Sequence, residues 1–500
     1  MEGIKLIDIF VGKTDGAIEA RQENFKELFF DPHNKYDELM RNKEKFLVVG
    51  SKGSGKTYLA NYIKLMASEK ENVKIVDASE LLMVKLNAIN TDNLDEELSI
   101  ALCKWFLLYE LAKEILNKYK IRAKYGICSK VYKLKKFINE FENEDFFKNI
   151  TRSSGKSDEK AVNSGIGAKH DKISFDRKES KKNIKSVSYE AERKKFYELI
   201  PVFENKVFST MKKKDSFIII IDDLDEMECD CSNGNRGINI ISMIRVAKEY
   251  NLKNTESNFK YILLLRDDIL SDLQCRNANL SKIKTSCAVE LYWLYDSVCE
   301  QWKHPLISMI FGKIRACCDA YKEYDNKKLF TILFPENIDN KKPLDFLLDN
   351  TLGRPRDITN FLSHAQRLFP EEKCFTAKIL KEARKPYASD LYDEILNQTA
   401  YLERTKYVQQ CLNLISTFKK SSFSYEEIKH IYEEHKDLFY EIDSLETALS
   451  FLYRLGVIGN TWRVNNKQHS SWSYKKDAMN DVDLSKRFTI HYGIRKKFSF

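Results

Sequence analysis

No run of about 18 apolar residues occurs in this 500-residue chain, so no membrane-spanning helix is expected, and Met1-Glu2-Gly3-Ile4-Lys5 does not open a secretory leader. A cytoplasmic protein without a membrane partner is the resulting expectation. Cysteine supplies no framework either. The 11 Cys are odd in number, Cys229-x-Cys231 has neither a second pair nor a histidine at zinc spacing, and Cys317-Cys318 fall in a helical pattern, so free, mostly buried thiols are expected. No nuclease or protease motif and no guanine-reading Asn-Lys-x-Asp element is evident. Glycine is scarce, at 17 residues, which gives weight to any place where it clusters. The length allows a large core and two or three domains.

Three of those glycines stand together in Val48-Val49-Gly50-Ser51-Lys52-Gly53-Ser54-Gly55-Lys56-Thr57, a complete G-x-x-x-x-G-K-[ST] pattern directly after the apolar run Phe46 to Val49. Gly50, Gly53 and Gly55 let the chain curl so that successive backbone N–H groups face an anion. Lys56 is placed to reach β- and γ-phosphates and Thr57 to bind Mg²⁺, while the helix predicted from Lys56 to about Ala67 adds the positive end of its dipole. Gly50, Ser51, Lys52, Gly53, Ser54, Gly55, Lys56 and Thr57 are therefore the candidate phosphate-binding set. The alternative, an ordinary strand-to-helix turn, does not call for three scarce glycines ahead of Lys-Thr.

Phe217 to Ile221 is apolar without alternation, the pattern of a strand buried on both faces, and Asp222-Asp223-Leu224-Asp225-Glu226 follows at once. Carboxylates at the end of such a strand suit a magnesium shell and an attacking water, with Asp222 for the metal, Asp223 for the water and Glu226 in reserve. A solvated acidic turn capping the next helix is the plainer reading. A third strand, Tyr261 to Leu265, ends in Arg266-Asp267-Asp268. There Arg266 is a candidate γ-phosphate sensor, and a helix-capping turn at Asp267 explains the same residues equally well. Farther on, Leu352-Gly353-Arg354-Pro355-Arg356-Asp357 opens a helix with proline in its first turn. Arg354 and Arg356 either reach a phosphate from a lid or form a surface salt bridge with Asp357.

Together these segments resemble bacterial P-loop ATPases on the border between AAA+ and STAND proteins. Within that group the chain is most similar to stand-alone ATPases with a C-terminal winged-helix-like domain that often occur in anti-phage defence loci. Phe10-Val11-Gly12-Lys13-Thr14-Asp15 and Phe488-Thr489-Ile490-His491 fit the same type. The resemblance implies an α/β P-loop NTPase core in which helices cover a parallel sheet, a helical lid, ATP and Mg²⁺ as cofactors, a homo-oligomer and a separate effector protein. Arg276 is the position to examine for an arginine donated to a neighbour. Where the AAA+ pattern has Asp-Glu after the strand this chain has Asp222-Asp223, which implies slow or activator-dependent hydrolysis. Two other functions stay open: a DNA-binding ATPase resembling origin-recognition-type initiators, and a nucleotide-binding scaffold with little turnover.

The landmarks divide the chain into a lead-in at 1–45 with a helix over Glu19 to Phe29, a core at 46–300, a lid at 301–404 and a winged-helix-like domain at 405–500. Residues 149–188 read as an exposed insertion, rich in Ser, Lys, Gly and Asp. Leu98 to Leu116 has apolar residues at helical spacing and belongs to the core. In the last stretch three helical patterns lead to turns at Gly456 and Gly459-Asn460 and then to short aromatic strands containing Trp462, Trp472 and Tyr474. Its third helix opens with Asp443-Ser444-Leu445-Glu446, acidic where a DNA reader needs donors, which favours protein docking. The net charge of +9 concentrates in Lys118 to Lys136, without a single acid, and in Lys169 to Lys195. Both runs suit a nucleic-acid backbone or a solvated lysine-rich surface, and thinly interleaved aromatics favour the second.

Overall fold

The computed structural model describes residues 3–80, 95–141, 195–228, 237–253, 258–295, 300–399, 404–476, 478–479 and 481–499. The expected insertion at 149–188 and the run from Lys169 to Lys194 lie outside them. The chain packs as two compact units that cut across the four stretches drawn from the sequence. One contains Tyr36–Val49 and Ile63–Val289, the other Met1–Lys35, Gly50–Tyr62 and Glu290–Phe500.

The first unit is α/β. Its five-stranded sheet contains β1 (Leu47–Val49), β2 (Glu71–Asp77), β3 (Ser216–Asp222), β4 (Asn258–Leu265) and β5 (Ala288–Glu290), in the order β2-β3-β4-β1-β5. Pairings of β1 with β4, β3 with β4 and β2 with β3 are parallel. β1, β3 and β4 therefore end on the same edge. The unbroken Phe-Ile-Ile-Ile-Ile of β3 is buried on both faces, as a central strand requires, whereas β2, at the edge, is mostly half-buried and tolerates Lys74. Helices cover this sheet. Glu96–Lys118, capped by Asp95, buries Leu102, Phe106, Leu107 and Leu111, and packs with Ile238–Lys253. Residues 195–210 are helical.

The second unit is helical with a small sheet. Helices Pro305–Cys317, Pro343–Asn350 and Pro355–Leu368 each begin with proline in the first turn, where its missing N–H has no intrahelical partner to lose. Asn326–Leu333 and Ala377–Thr399 complete the set and share one apolar core with the first residues of the chain. The lead-in is fastened there by backbone: Leu6 N–H donates to the Glu372 carbonyl at 2.6 Å, and Gln366 Nε2 to the carbonyls of Leu6 and Ile9. The helix expected over Glu19 to Phe29 is two short helices, Gly16–Glu19 and Phe25–Leu28. Turns between them leave Glu19 buried, where it meets a lysine described below.

Helices Thr405–Thr417, Tyr425–Glu434 and Leu445–Arg454 accompany a sheet of β6 (Ser422–Phe423), which follows the first helix, and β7 (Ile458–Val464), β8 (Lys467–Ser471) and β9 (Arg487–Ile490), which follow the third, in the order β6-β9-β7-β8. The turn expected at Gly459-Asn460 is instead inside β7, and the hairpin closes at Asn465 and Asn466, both at positive φ. Gly459 is in the strand for close approach: a Cβ there would lie 2.6 Å from the Trp472 ring. The described cysteines are free, but only Cys103, Cys287 and Cys411 are buried, while Cys128, Cys275 and Cys317 are exposed. The expectation of mostly buried thiols is corrected to that extent.

Candidate functional site

β1 leads directly into the glycine-rich loop, and helix Lys56–Met66 leaves it. Gly53 and Gly55 have φ of +84° and +102°, the left-handed region that residues with a side chain rarely adopt. The carbonyls from Gly50 to Ser54 all accept hydrogen bonds. Lys56 Nζ donates to the Gly50 and Ser51 carbonyls at 2.8 and 3.0 Å, Arg354 Nη1 to that of Lys52 at 2.8 Å, Arg356 N–H to that of Gly53 at 3.4 Å, and Trp293 Nε1 to that of Ser54 at 2.9 Å. A peptide group whose oxygen is held on one side presents its N–H to the other. The exception is Ser54 N–H, which turns back to the Ser51 carbonyl at 3.1 Å. The loop backbone is thus fixed through its carbonyls, with Gly53 and Gly55 in the left-handed conformation that anion-binding glycine loops use.

Both arginines of this motif touch the loop, and Arg354 does pair with Asp357, but the pair is buried, not the surface bridge expected from the sequence. Its Nε and Nη2 donate to the two oxygens of Asp357, each at 2.7 Å, and Nη2 also lies 3.3 Å from Glu394. Burial opposes the charge, but Asp357 and Glu394 outweigh it and push the guanidinium pKa further up. Arg354 is thus held by two carboxylates while its Nη1 reaches the loop carbonyl. Arg356 is more open. Its Nε donates to the Thr14 carbonyl at 3.1 Å, and its Nη1 stands 3.6 Å from Glu394.

A buried triad, which sequence reading missed, lies beside the loop helix. Glu19 accepts from Tyr58 Oη at 2.5 Å, from Lys13 N–H at 2.5 Å and from Lys313 Nζ at 2.6 Å. Tyr58 directly follows Thr57, so the triad joins the loop helix to the lead-in and to helix Pro305–Cys317. Burial lowers the Lys313 pKa and raises that of Tyr58, and the Glu19 charge adds to the rise of Tyr58. No spacing in the sequence announces a contact between Glu19 and Lys313.

In the other unit, Asp222 closes β3 and is buried, and Asp223, exposed, has φ of +52°. That left-handed backbone at a non-glycine residue is a sparsely populated conformation, which aspartate tolerates better than most. Its N–H donates to Asp222 Oδ1 at 2.9 Å. Arg266 forks onto Asp268, with Nε to Oδ1 at 3.0 Å and Nη2 to Oδ2 at 2.5 Å, and Nη1 reaches Asp225 at 3.2 Å. Arg266 is itself the N-cap residue of helix Asp267–Arg276, so the capping turn expected at Asp267 lies one residue earlier and Asp267 is in the first turn. Glu226 belongs to the short 3-10 helix Leu224–Glu228 and Arg276 ends its helix, but the side chains of both lie outside the described residues.

Among the described residues no helix is long and apolar enough to cross a membrane. No curated protein and no solved structure gives a match. Residues 304–396, the stretch that supplies Lys313, Arg354, Arg356 and Glu394, match the family model of a FunZ-associated C-terminal helical domain.

Proposed function

We propose that this chain is an ATP-binding, magnesium-dependent switch that hydrolyses ATP slowly or on activation. The observation that carries the reading is the braced loop, with its carbonyls from Gly50 to Ser54 held by Lys56, Arg354, Arg356 and Trp293. In a P-loop NTPase core the amides of this loop hold the phosphates, Lys56 counters their charge and Thr57 ligates the metal. Asp222 would serve the magnesium and Asp223 the attacking water on the resemblance alone, as carboxylates at the end of a buried strand. The donor set fits Mg²⁺, a hard cation that takes hydroxyl and carboxylate oxygen. Magnesium, if held by Thr57 and Asp222, would supply charge neutralisation during phosphoryl transfer. Arg356, the more exposed of the two arginines, supports the reading as the candidate that would exchange its Thr14 carbonyl partner for a phosphate oxygen.

The resemblance extends the proposal to an oligomeric switch in anti-phage defence, with the helical segment as its lid and a separate protein as effector. The C-terminal segment is read as a winged helix that docks protein. Ser444 caps its third helix and Glu446 stands in the first turn, leaving the would-be reading end acidic. The test is ATP binding and turnover by wild type beside Lys56→Ala and Asp223→Asn. Binding lost in Lys56→Ala, with turnover but not binding lost in Asp223→Asn, is the expected pattern. A wild-type protein that binds no ATP overturns the proposal. The defence role is tested separately by phage plating on bacteria carrying the wild-type locus or its Lys56→Ala form.

A further inference from the structure

The three most exposed large apolar side chains among the described residues fall within seven positions: Ile121 at 76%, Tyr125 at 67% and Ile127 at 71%. Scattered exposed apolar residues need no explanation, but a cluster of this kind does. Ile121 and Tyr125 are four apart on the short helix Lys120–Tyr125 and share a face, while Ala123 turns inward. Around them stand the exposed cations Lys120, Arg122, Lys124, Lys130, Lys133 and Lys136, with no acid between Lys118 and Lys136.

The fold adds a second basic run that the sequence leaves far away. Lys118 pairs with Asp215 at 3.3 Å, Tyr119 Oη donates to the same carboxylate at 2.5 Å, and Lys212 Nζ sits 4.7 Å from the Tyr119 ring centroid. Lys130 Nζ donates to the Ser209 carbonyl at 3.1 Å. The exposed Lys213 and Lys214 thereby join the same end of the unit, and Asp215, the one carboxylate in this knot, is itself buried.

We propose that this end docks on an anionic lipid surface. The cations are drawn to acidic headgroups, and Ile121, Tyr125 and Ile127 enter the headgroup boundary beneath them. Charge complementarity selects this occupant. A second copy would bring the same cations against one another, and a nucleic-acid backbone would engage the cations but leave both isoleucines in water. The contact is peripheral and needs no spanning helix.

The test is co-sedimentation of the full chain with vesicles of phosphatidylcholine alone or mixed with phosphatidylglycerol, at low and high salt. Binding to the mixed vesicles only, weakened by salt and reduced roughly tenfold in both Ile121→Ser/Ile127→Ser and Lys120→Glu/Lys124→Glu, is the expected result. Unchanged thermal midpoints show that these exposed substitutions leave the fold intact. Absence of phosphatidylglycerol-dependent binding overturns the proposal, as does binding that ignores the isoleucine substitutions. Duplex DNA bound in place of vesicles, and lost only on charge reversal, replaces the lipid with nucleic acid.

Discussion

Arg354 and Arg266 occupy clamps of the same chemistry, one in each unit. Each guanidinium is enclosed, forks onto an aspartate close by in sequence and reaches a second carboxylate. They differ in the surroundings of the partners. Asp357 is 3% exposed, whereas Asp268 is 37% and Asp225 26% exposed. In the sealed clamp a carboxylate that loses its arginine has no water to turn to, and in the wet clamp it has. Arg354 also holds a loop carbonyl, whereas Arg266 holds the acidic turn after β3. Two arginines that look alike as sensor candidates thus differ in what surrounds them, one paired with a dry aspartate and one with wet ones.

The largest effect on stability is expected where the seal is tightest. Arg354→Ala leaves Asp357 buried without its counter-charge and should lower unfolding stability by about 3–5 kcal/mol, the usual loss when one partner of a buried pair is removed. Arg354→Lys keeps the charge but loses the fork, and should recover only part of that stability. Chemical denaturation measures both, and a loss below about 1 kcal/mol for Arg354→Ala would show that the clamp is not sealed. Lys313→Met comes next, at about 2–3 kcal/mol. Glu19 is as deeply buried as Asp357 but keeps two donors, Tyr58 Oη and Lys13 N–H, when the lysine is gone. If Tyr58→Phe and Lys313→Met destabilise additively, the triad is not one unit, and the sealed side of the comparison shrinks to Arg354 alone.

Arg266→Ala tests the wet clamp. Both partner carboxylates have access to water, so screening reduces the loss to about 1 kcal/mol. A loss as large as that of Arg354→Ala would erase the distinction. If the acidic turn has the proposed role, Arg266→Ala lowers ATP turnover while leaving ATP affinity nearly unchanged, a split between kcat and binding that a purely structural arginine would not produce.

The comparison also explains which parts were legible in the sequence. β3 is plain because a strand buried on both faces must be apolar throughout, and the glycine loop is plain because positive φ at Gly53 and Gly55 restricts the residue type. A pairing of Arg354 with Asp357 is legible because residues three apart at a helix start are neighbours in any fold, but its burial is not. The link from Arg354 to the Lys52 carbonyl spans 302 positions. The Lys313–Glu19 pair likewise joins distant segments. Such contacts depend on tertiary packing, and no local period encodes them. The left-handed backbone at Asp223 is invisible for a related reason: aspartate is permitted there but not required.

Arg356 gives the smallest expected change in stability and sharpens the division within one motif. Its side chain is 33% exposed, and its ionic partner, Glu394, is 3.6 Å away. The contact that supports the loop comes from its backbone N–H to the Gly53 carbonyl, and from a Cβ so placed that a methyl group on Gly53 would lie 3.0 Å from it. Alanine keeps both. Arg356→Ala should therefore cost less than about 1 kcal/mol. Under the proposed function it nonetheless weakens ATP binding, because the guanidinium it removes is the one free of a bidentate carboxylate. Calorimetric titration with ATP beside a denaturation curve separates the two contributions. Equal affinity in Arg356→Ala and wild type would remove Arg356 from the phosphate site and leave both arginines of this motif as braces.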